Sequence, residues 1–108
     1  MNASNIRDVH AWFQVLQTTS RSQTAVMTLS SGRQSSEEMN VHANSDQVLL
    51  VVEGEVEAEV GGDKRLMRSG DSCIVPAGTR HRFKNAGKEK AVTFNVYSPP
   101  EYPADEKG

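Results

Sequence analysis

Only one cysteine, Cys73, occurs in the chain, so no internal disulfide can form and stability must come from packing. Such sparse cysteine usage fits a reducing compartment, and a cytoplasmic location is the expectation. Any long apolar run is missing too. The longest, Val48 to Val52, is far too short to span a bilayer, which argues against a membrane protein. The opening residues, MNASNIRDVH, do not show the charged-then-apolar order of a signal peptide. No block of one charge stands out, because 12 basic residues face 14 acidic ones spread along the chain. That balance gives no support to nucleic-acid binding or to attachment at a membrane surface. Internal repeats, heptads, low-complexity stretches and long amphipathic helices are also absent. The chemistry-bearing motifs that are missing matter as much. There is no nucleophile with an adjacent base, no phosphate-cradling glycine loop and no dinucleotide fingerprint.

What is present reads as short strands separated by Gly, Pro, Asn and Asp turns. The 108 residues suffice for one modest core but not for two. Residues 1–11 form a polar N-terminal segment expected to be partly mobile. Trp12, Phe13, Val15 and Leu16 make the first apolar cluster, whose spacing fits a helical turn or an edge strand equally. Gln23 to Leu29 alternates as a half-buried strand. Ser30 to Glu38 is a loop, and Met39 to Asp46, with His42, reads as a short strand running into a turn. Gln47 to Glu53 is a continuous apolar strand. Glu55 to Val60 alternates, with Val56, Ala58 and Val60 toward the core and Glu55, Glu57 and Glu59 toward water. Gly61-Gly62-Asp63 marks a hairpin turn and Arg65 to Arg68 the return strand. Ala91 to Tyr97 is the last clear strand, ended by Ser98-Pro99-Pro100. The polar tail from Glu101 onward is expected to be extended. Eight or nine short strands of this kind predict an all-β sandwich or barrel.

The most defined stretch is Gly70 to Asn85, GDSCIVPAGTRHRFKN. Gly70-Asp71 is a turn dipeptide, Cys73 to Val75 suit a buried strand, and Pro76-Ala77-Gly78 forms a rigid turn. His81 follows that turn, where a β-scaffold aims a side chain reproducibly. The spacing Gly70-x5-Pro76-x-Gly78-x2-His81-x3-Asn85 resembles the second motif of the cupin family at every defining position. Asn40-x-His42-x4-Gln47-x6-Gly54 reproduces the spacing of the first motif, with two exchanges. Asn40 stands where that family usually has histidine, and Gln47 where it usually has glutamate. The glycine expected before them is off register, with Gln34 at its place and Gly32 two residues earlier. The tail Val96-Tyr97-Ser98-Pro99-Pro100-Glu101-Tyr102 is similar to the ending of small bacterial cupins described as mannose-6-phosphate-isomerase-like.

The resemblance covers roughly residues 12–102, with 103–108 as a polar tail. It implies a cupin-type double-stranded β-helix, that is, a small jelly-roll barrel, in one domain. It also implies a homodimer pairing one sheet of each barrel, for which Trp12-Phe13, Leu50 and Val52 are candidate contacts. The pocket it implies is lined by motif residues and holds one divalent metal ion, with His42, Gln47, His81 and Asn40 as candidate ligands. Amide oxygens are neutral and weaker than carboxylates toward hard cations, so Zn, Ni, Fe or Mn would need waters or an anionic ligand to complete the shell. The alternative for Asn40 and Gln47 is hydrogen bonding to each other, to water or to a ligand. Glu37 and Glu38 are near enough in sequence to replace the missing carboxylate, although such pairs are usually solvated loop charges. Cys73 reads as a small buried apolar residue, and His10 as a surface residue.

Two functions follow. One is a metal-dependent enzyme acting on a small polar molecule such as a sugar acid or keto acid. The other is a metal-free binding or sensor module for a small, sugar-like ligand.

Overall fold

A computed structural model describes residues 1–108. Eight strands follow a single 3-10 turn at Ile6–Asp8. They are β1 (Phe13–Thr18), β2 (Gln23–Leu29), β3 (Asp46–Glu53), β4 (Glu55–Val60), β5 (Asp63–Arg68), β6 (Ser72–Val75), β7 (His81–Lys84) and β8 (Ala91–Ser98). One sheet has the order β1-β2-β8-β3-β6 and the other β5-β4-β7, with every pairing antiparallel. The two sheets enclose the core as a jelly roll, as the strand spacing predicts. The ambiguous first cluster is the edge strand β1, whose β-branched and amide residues suit a sheet edge. No helix is long and apolar enough to cross a membrane.

Alternation decides which side chains fill the barrel. Leu49 and Val51 of β3, Val56 and Ala58 of β4, and Ala25, Met27 and Leu29 of β2 are buried, together with Phe83. Glu55, Glu57 and Glu59 point outward and meet Arg68, Lys64 and Arg82 at 3.8, 3.9 and 3.6 Å. Such solvent-facing pairs contribute little. Two expectations change in detail. Val48 to Val52 is apolar throughout, yet only Leu49 and Val51 face the core, on the same side as Gln47. Val48, Leu50 and Val52 lie on the outer surface of the larger sheet. Met39 to Ser45 forms no strand, and Asp46 already opens β3. Asn40 alone makes a β-bridge, to His81, because the following residues turn away to bring His42 inward.

The polar tail is not simply extended: it turns at Ala104-Asp105, where the Glu106 N–H donates to the Pro103 carbonyl at 3.0 Å, and then docks. The Glu106 carbonyl accepts the Val15 N–H at 3.0 Å and Gly108 donates to the Phe13 carbonyl at 2.7 Å. A bridge between Gln14 and Lys107 completes this extra strand on the free edge of β1, which removes an unpaired sheet edge. Deeply buried Gln23 clamps the start of the tail. Its Oε1 accepts the backbone N–H groups of Glu101 and Tyr102, and its Nε2 donates to the Tyr102 carbonyl and to Thr18 Oγ1. Three of those four bonds hold the strap, and the fourth ties the side chain to Thr18 of β1.

Candidate metal and ligand site

The two motifs meet because the Asn40 and His81 backbones exchange hydrogen bonds of 2.8 and 2.9 Å. His42, two residues past that bridge, turns to the same side, and its carbonyl accepts the Gly78 N–H at 2.8 Å. The rigid turn of the second motif therefore fixes the first-motif loop as well as β7. The imidazoles of His42 and His81 lie 4.8 Å apart between ring centres, and both are buried. With Gln47 they line a cavity of about 140 Å³ whose walls include Phe83, Tyr97 and Tyr102. A larger groove, about 910 Å³, lies between the N-terminal segment and the outer sheet face, away from the motif histidines.

His81 and Gln47 are oriented from behind. Nδ1 of His81 lies 3.0 Å from the Thr79 carbonyl. A carbonyl only accepts, so Nδ1 carries the proton and Nε2 keeps its lone pair. Gln47 is 3% exposed and sits at the end of a directional chain. Thr93 Oγ1 donates to the Met27 carbonyl, and Asn95 Nδ2 donates to Thr93 Oγ1 at 3.0 Å. Asn95 Oδ1 is then the acceptor for Gln47 Nε2 at 2.9 Å. This order leaves Gln47 Oε1 buried with no partner. An unpaired buried carbonyl costs about 1–3 kcal/mol, so its retention points to a cation or donor that this oxygen receives.

His42 is 4% exposed, and its Nδ1 lies 3.2 Å from Glu101 Oε2 without a hydrogen bond between them. The donor set therefore fits a divalent cation of borderline softness, with two imidazoles and one amide oxygen aimed into one pocket. Nowhere does the fold gather three His, Cys, Asp or Glu side chains in ligand geometry, so any such centre depends on the Gln47 amide. Asn40 is at the rim, where its Oδ1 accepts the Val41 N–H at 2.9 Å. Glu37 and Glu38 are exposed and outside the pocket. Cys73 packs beside the core, and burial pushes its thiol pKa up, as for a structural cysteine. His10 is exposed.

Burial lowers the pKa of His81. The Thr79 carbonyl opposes that shift, the neighbouring His42 adds to it, and Glu101 opposes it. The folded protein thus holds His81 neutral at a pH where the unfolded chain, near 6.5, takes up a proton. The stability gained is present above that value and is lost as pH falls through the lower folded value. Denaturant midpoints of the metal-free protein are expected to decline as pH drops below about 6.5. His81→Gln should flatten part of that decline, and identical slopes in both proteins would refute the assignment.

Several site residues carry no motif signature. Glu101 and Tyr102 belong to the tail, and their place beside His42 follows from the Gln23 clamp. Thr93 and Asn95 are inward on β8, where hydrophobicity alone selects Val92, Phe94 and Val96 as the core face. The readable signal is the alternation Ala91, Thr93, Asn95, Tyr97, a polar inward face opposite Gln47. Burial raises the phenol pKa of Tyr97 far above its ordinary value and that of Tyr102 less strongly. Both rings therefore remain neutral O–H donors.

Comparison with known proteins agrees with the architecture. The cupin domain family matches residues 25–97. A polyketide synthase CurC of Streptomyces cyaneus is 35% identical over 58 residues, covering 54% of this chain and 38% of that protein. A quercetin 2,3-dioxygenase of Bacillus subtilis is 32% identical over 72 residues, covering 66% of this chain and 21% of that protein. The chain thus spans well under half the length of either relative. A crystal structure from Bacillus halodurans superposes with a TM-score of 0.87 at 23% identity, covering 94% of this chain and 80% of the other. With both motifs converging on one pocket inside a jelly roll, and with most of the barrel inside the family match, this chain belongs to the cupin family.

Proposed function

We infer that the pocket holds a divalent cation through His42, Gln47 and His81 and presents it to a small polar ligand. The observation that carries this reading is the orphaned Gln47 Oε1, held toward the cavity by the Asn95–Thr93 chain. Bound there, a divalent ion supplies Lewis-acid polarisation of a carbonyl or hydroxyl oxygen. The protein's own part is to keep the imidazoles neutral and oriented, exclude water with aromatic walls, and offer the phenols of Tyr97 and Tyr102 as hydrogen donors. Because all three donors are neutral, an anionic oxygen ligand such as a sugar acid or keto acid complements the site best. The relation to a protein called a dioxygenase supports an enzymatic role, on a chain that covers about one fifth of that relative.

Metal analysis of protein purified without chelator, on wild type and His42→Ala, tests the centre. Wild type is expected to carry or take up Zn, Ni, Mn or Fe, and the variant to lose it. Less than about a tenth of an equivalent in wild type, with no uptake of any added ion, would end this reading. The second reading, a metal-free binding module, is favoured by the missing carboxylate in the first motif. Metal-dependent turnover of a sugar-acid or keto-acid panel, abolished in His81→Ala, rules against it.

The outer face of the larger sheet supports a homodimer. Val48, Leu50 and Val52 are exposed there, and Ile74 of the adjoining β6 is 57% exposed. Contiguous apolar surface of this kind is typical of an association face. Phe13, by contrast, is buried in its own barrel. Light scattering is expected to give twice the monomer mass for wild type. Leu50→Lys combined with Ile74→Lys should yield monomers, and a monomeric wild type would overturn the assignment.

A further inference from the structure

The carboxylate missing from the first motif has a counterpart in the C-terminal strap. Gln23 fixes the backbone at Glu101 and Tyr102, and this places Glu101 Oε2 3.2 Å from His42 Nδ1. The two atoms are close, but the oxygen lies off the direction of a hydrogen bond, and Nδ1 remains unpartnered. The Glu101 side chain is 27% exposed and retains room to turn into line. Its position relative to the cavity is informative. His42 lines the pocket, as do Tyr102 and Glu106 of the strap, whereas Glu101 does not, so Glu101 meets Nδ1 of the ring from behind the pocket lining.

We propose that Glu101 is the positioning residue of the centre: it accepts the Nδ1 proton of His42 and leaves the Nε2 lone pair for the ion. This rests on the reading of His42, Gln47 and His81 as a metal site. It gives His42 the same support that the Thr79 carbonyl gives His81. The two imidazoles would then share one tautomer, each fixed from outside the cavity. A carboxylate in that position raises imidazole basicity and orients the ring. It also brings a negative charge close to an otherwise neutral donor set, without occupying a coordination position. The substitution of Gln47 for glutamate is thereby offset from the far end of the chain. Glu37 and Glu38, the nearer carboxylates in sequence, stay in solvent.

The test uses nitrogen-15 NMR of the histidine rings in the metal-free full chain, at a pH above the imidazole range, together with zinc titration. Wild type, Glu101→Ala and Glu101→Gln are compared. Wild type is expected to show His42 as the Nδ1–H tautomer, and Glu101→Ala to shift it toward Nε2–H or a mixture. Zinc affinity should fall about 10–100-fold in Glu101→Ala. Glu101→Gln should recover most of that loss, because its amide oxygen still accepts the proton. An unchanged His42 tautomer in Glu101→Ala overturns the proposal, as does zinc affinity within about twofold of wild type. Equal loss of zinc in both variants with the tautomer unchanged would make Glu101 a direct ligand, which also overturns it. If wild type binds no zinc, the metal reading fails by itself, and the tautomer comparison still decides what Glu101 does to His42.

Discussion

Gly54→Ala is expected to lower the melting temperature by more than about 10 °C, beyond what a turn glycine normally accounts for. Gly54 joins β3 of one sheet to β4 of the other at φ +77°, and a Cβ there would sit 2.5 Å from the Lys90 carbonyl oxygen. The left-handed backbone alone costs a side chain about 1–2 kcal/mol. The clash adds about 1–3 kcal/mol, because the opposing atom is backbone of the segment entering β8 and cannot rotate away. Gly62 provides the control. It has φ +90°, but a methyl group there would meet nothing within 4 Å, so Gly62→Ala should show the conformational part alone. Thermal unfolding of the two variants separates the terms, and equal shifts would show that the approach to Lys90 relaxes freely. The last glycine of the first motif is therefore a requirement of the crossing between sheets, unconnected with the pocket chemistry.

The same division between frame and chemistry explains what is legible in the residues. Strand positions can be read because each depends on local alternation and on turn residues that break it, as in Glu55 to Val60 and Pro76 to Gly78. The convergence of His42, Gln47 and His81 is legible through motif spacing, since a barrel of fixed strand order turns spacing into position. Asn85, the last residue of the second motif, proves to be a structural clamp. Its Nδ2 donates to the Leu29 and Glu89 carbonyls and its Oδ1 accepts the Gly87 N–H. Orientation is less accessible. The unbroken apolar run Val48 to Val52 does not say which of its members face the core, and only pairing with β6 and β8 shows that Val48, Leu50 and Val52 face outward. The Gln23–Glu101 contact joins residues separated by 78 positions, and no local pattern encodes such a distance. Nor does motif spacing reveal the direction of the Asn95–Thr93 chain, which is set by which atoms remain free to donate.

That direction leads to the other large effect, in Gln47→Glu. At neutral pH the metal-free variant is expected to lose about 3 kcal/mol, and zinc is expected to restore it. Gln47 Nε2 now donates to Asn95 Oδ1, and Asn95 cannot reverse without abandoning Thr93 Oγ1. A carboxylate placed there meets an acceptor in a pocket that leaves the residue only 3% exposed. Protonation resolves the conflict, since the acid O–H can donate to Asn95 as the amide did. The folded pKa of residue 47 therefore rises above the ordinary glutamate value near 4.3. The sign follows: stability is intact below that value and is lost as pH rises, the reverse of the trend set by His81. A divalent ion removes the penalty by accepting the charge directly, so zinc should bind the variant more tightly than wild type and raise its melting temperature by roughly 10 °C or more. Melting curves from acidic to neutral pH, with zinc and with chelator, check this. A variant as stable as wild type without metal would mean that Asn95 turns freely. A destabilised variant that zinc fails to rescue would mean that Gln47 Oε1 does not face a cation site.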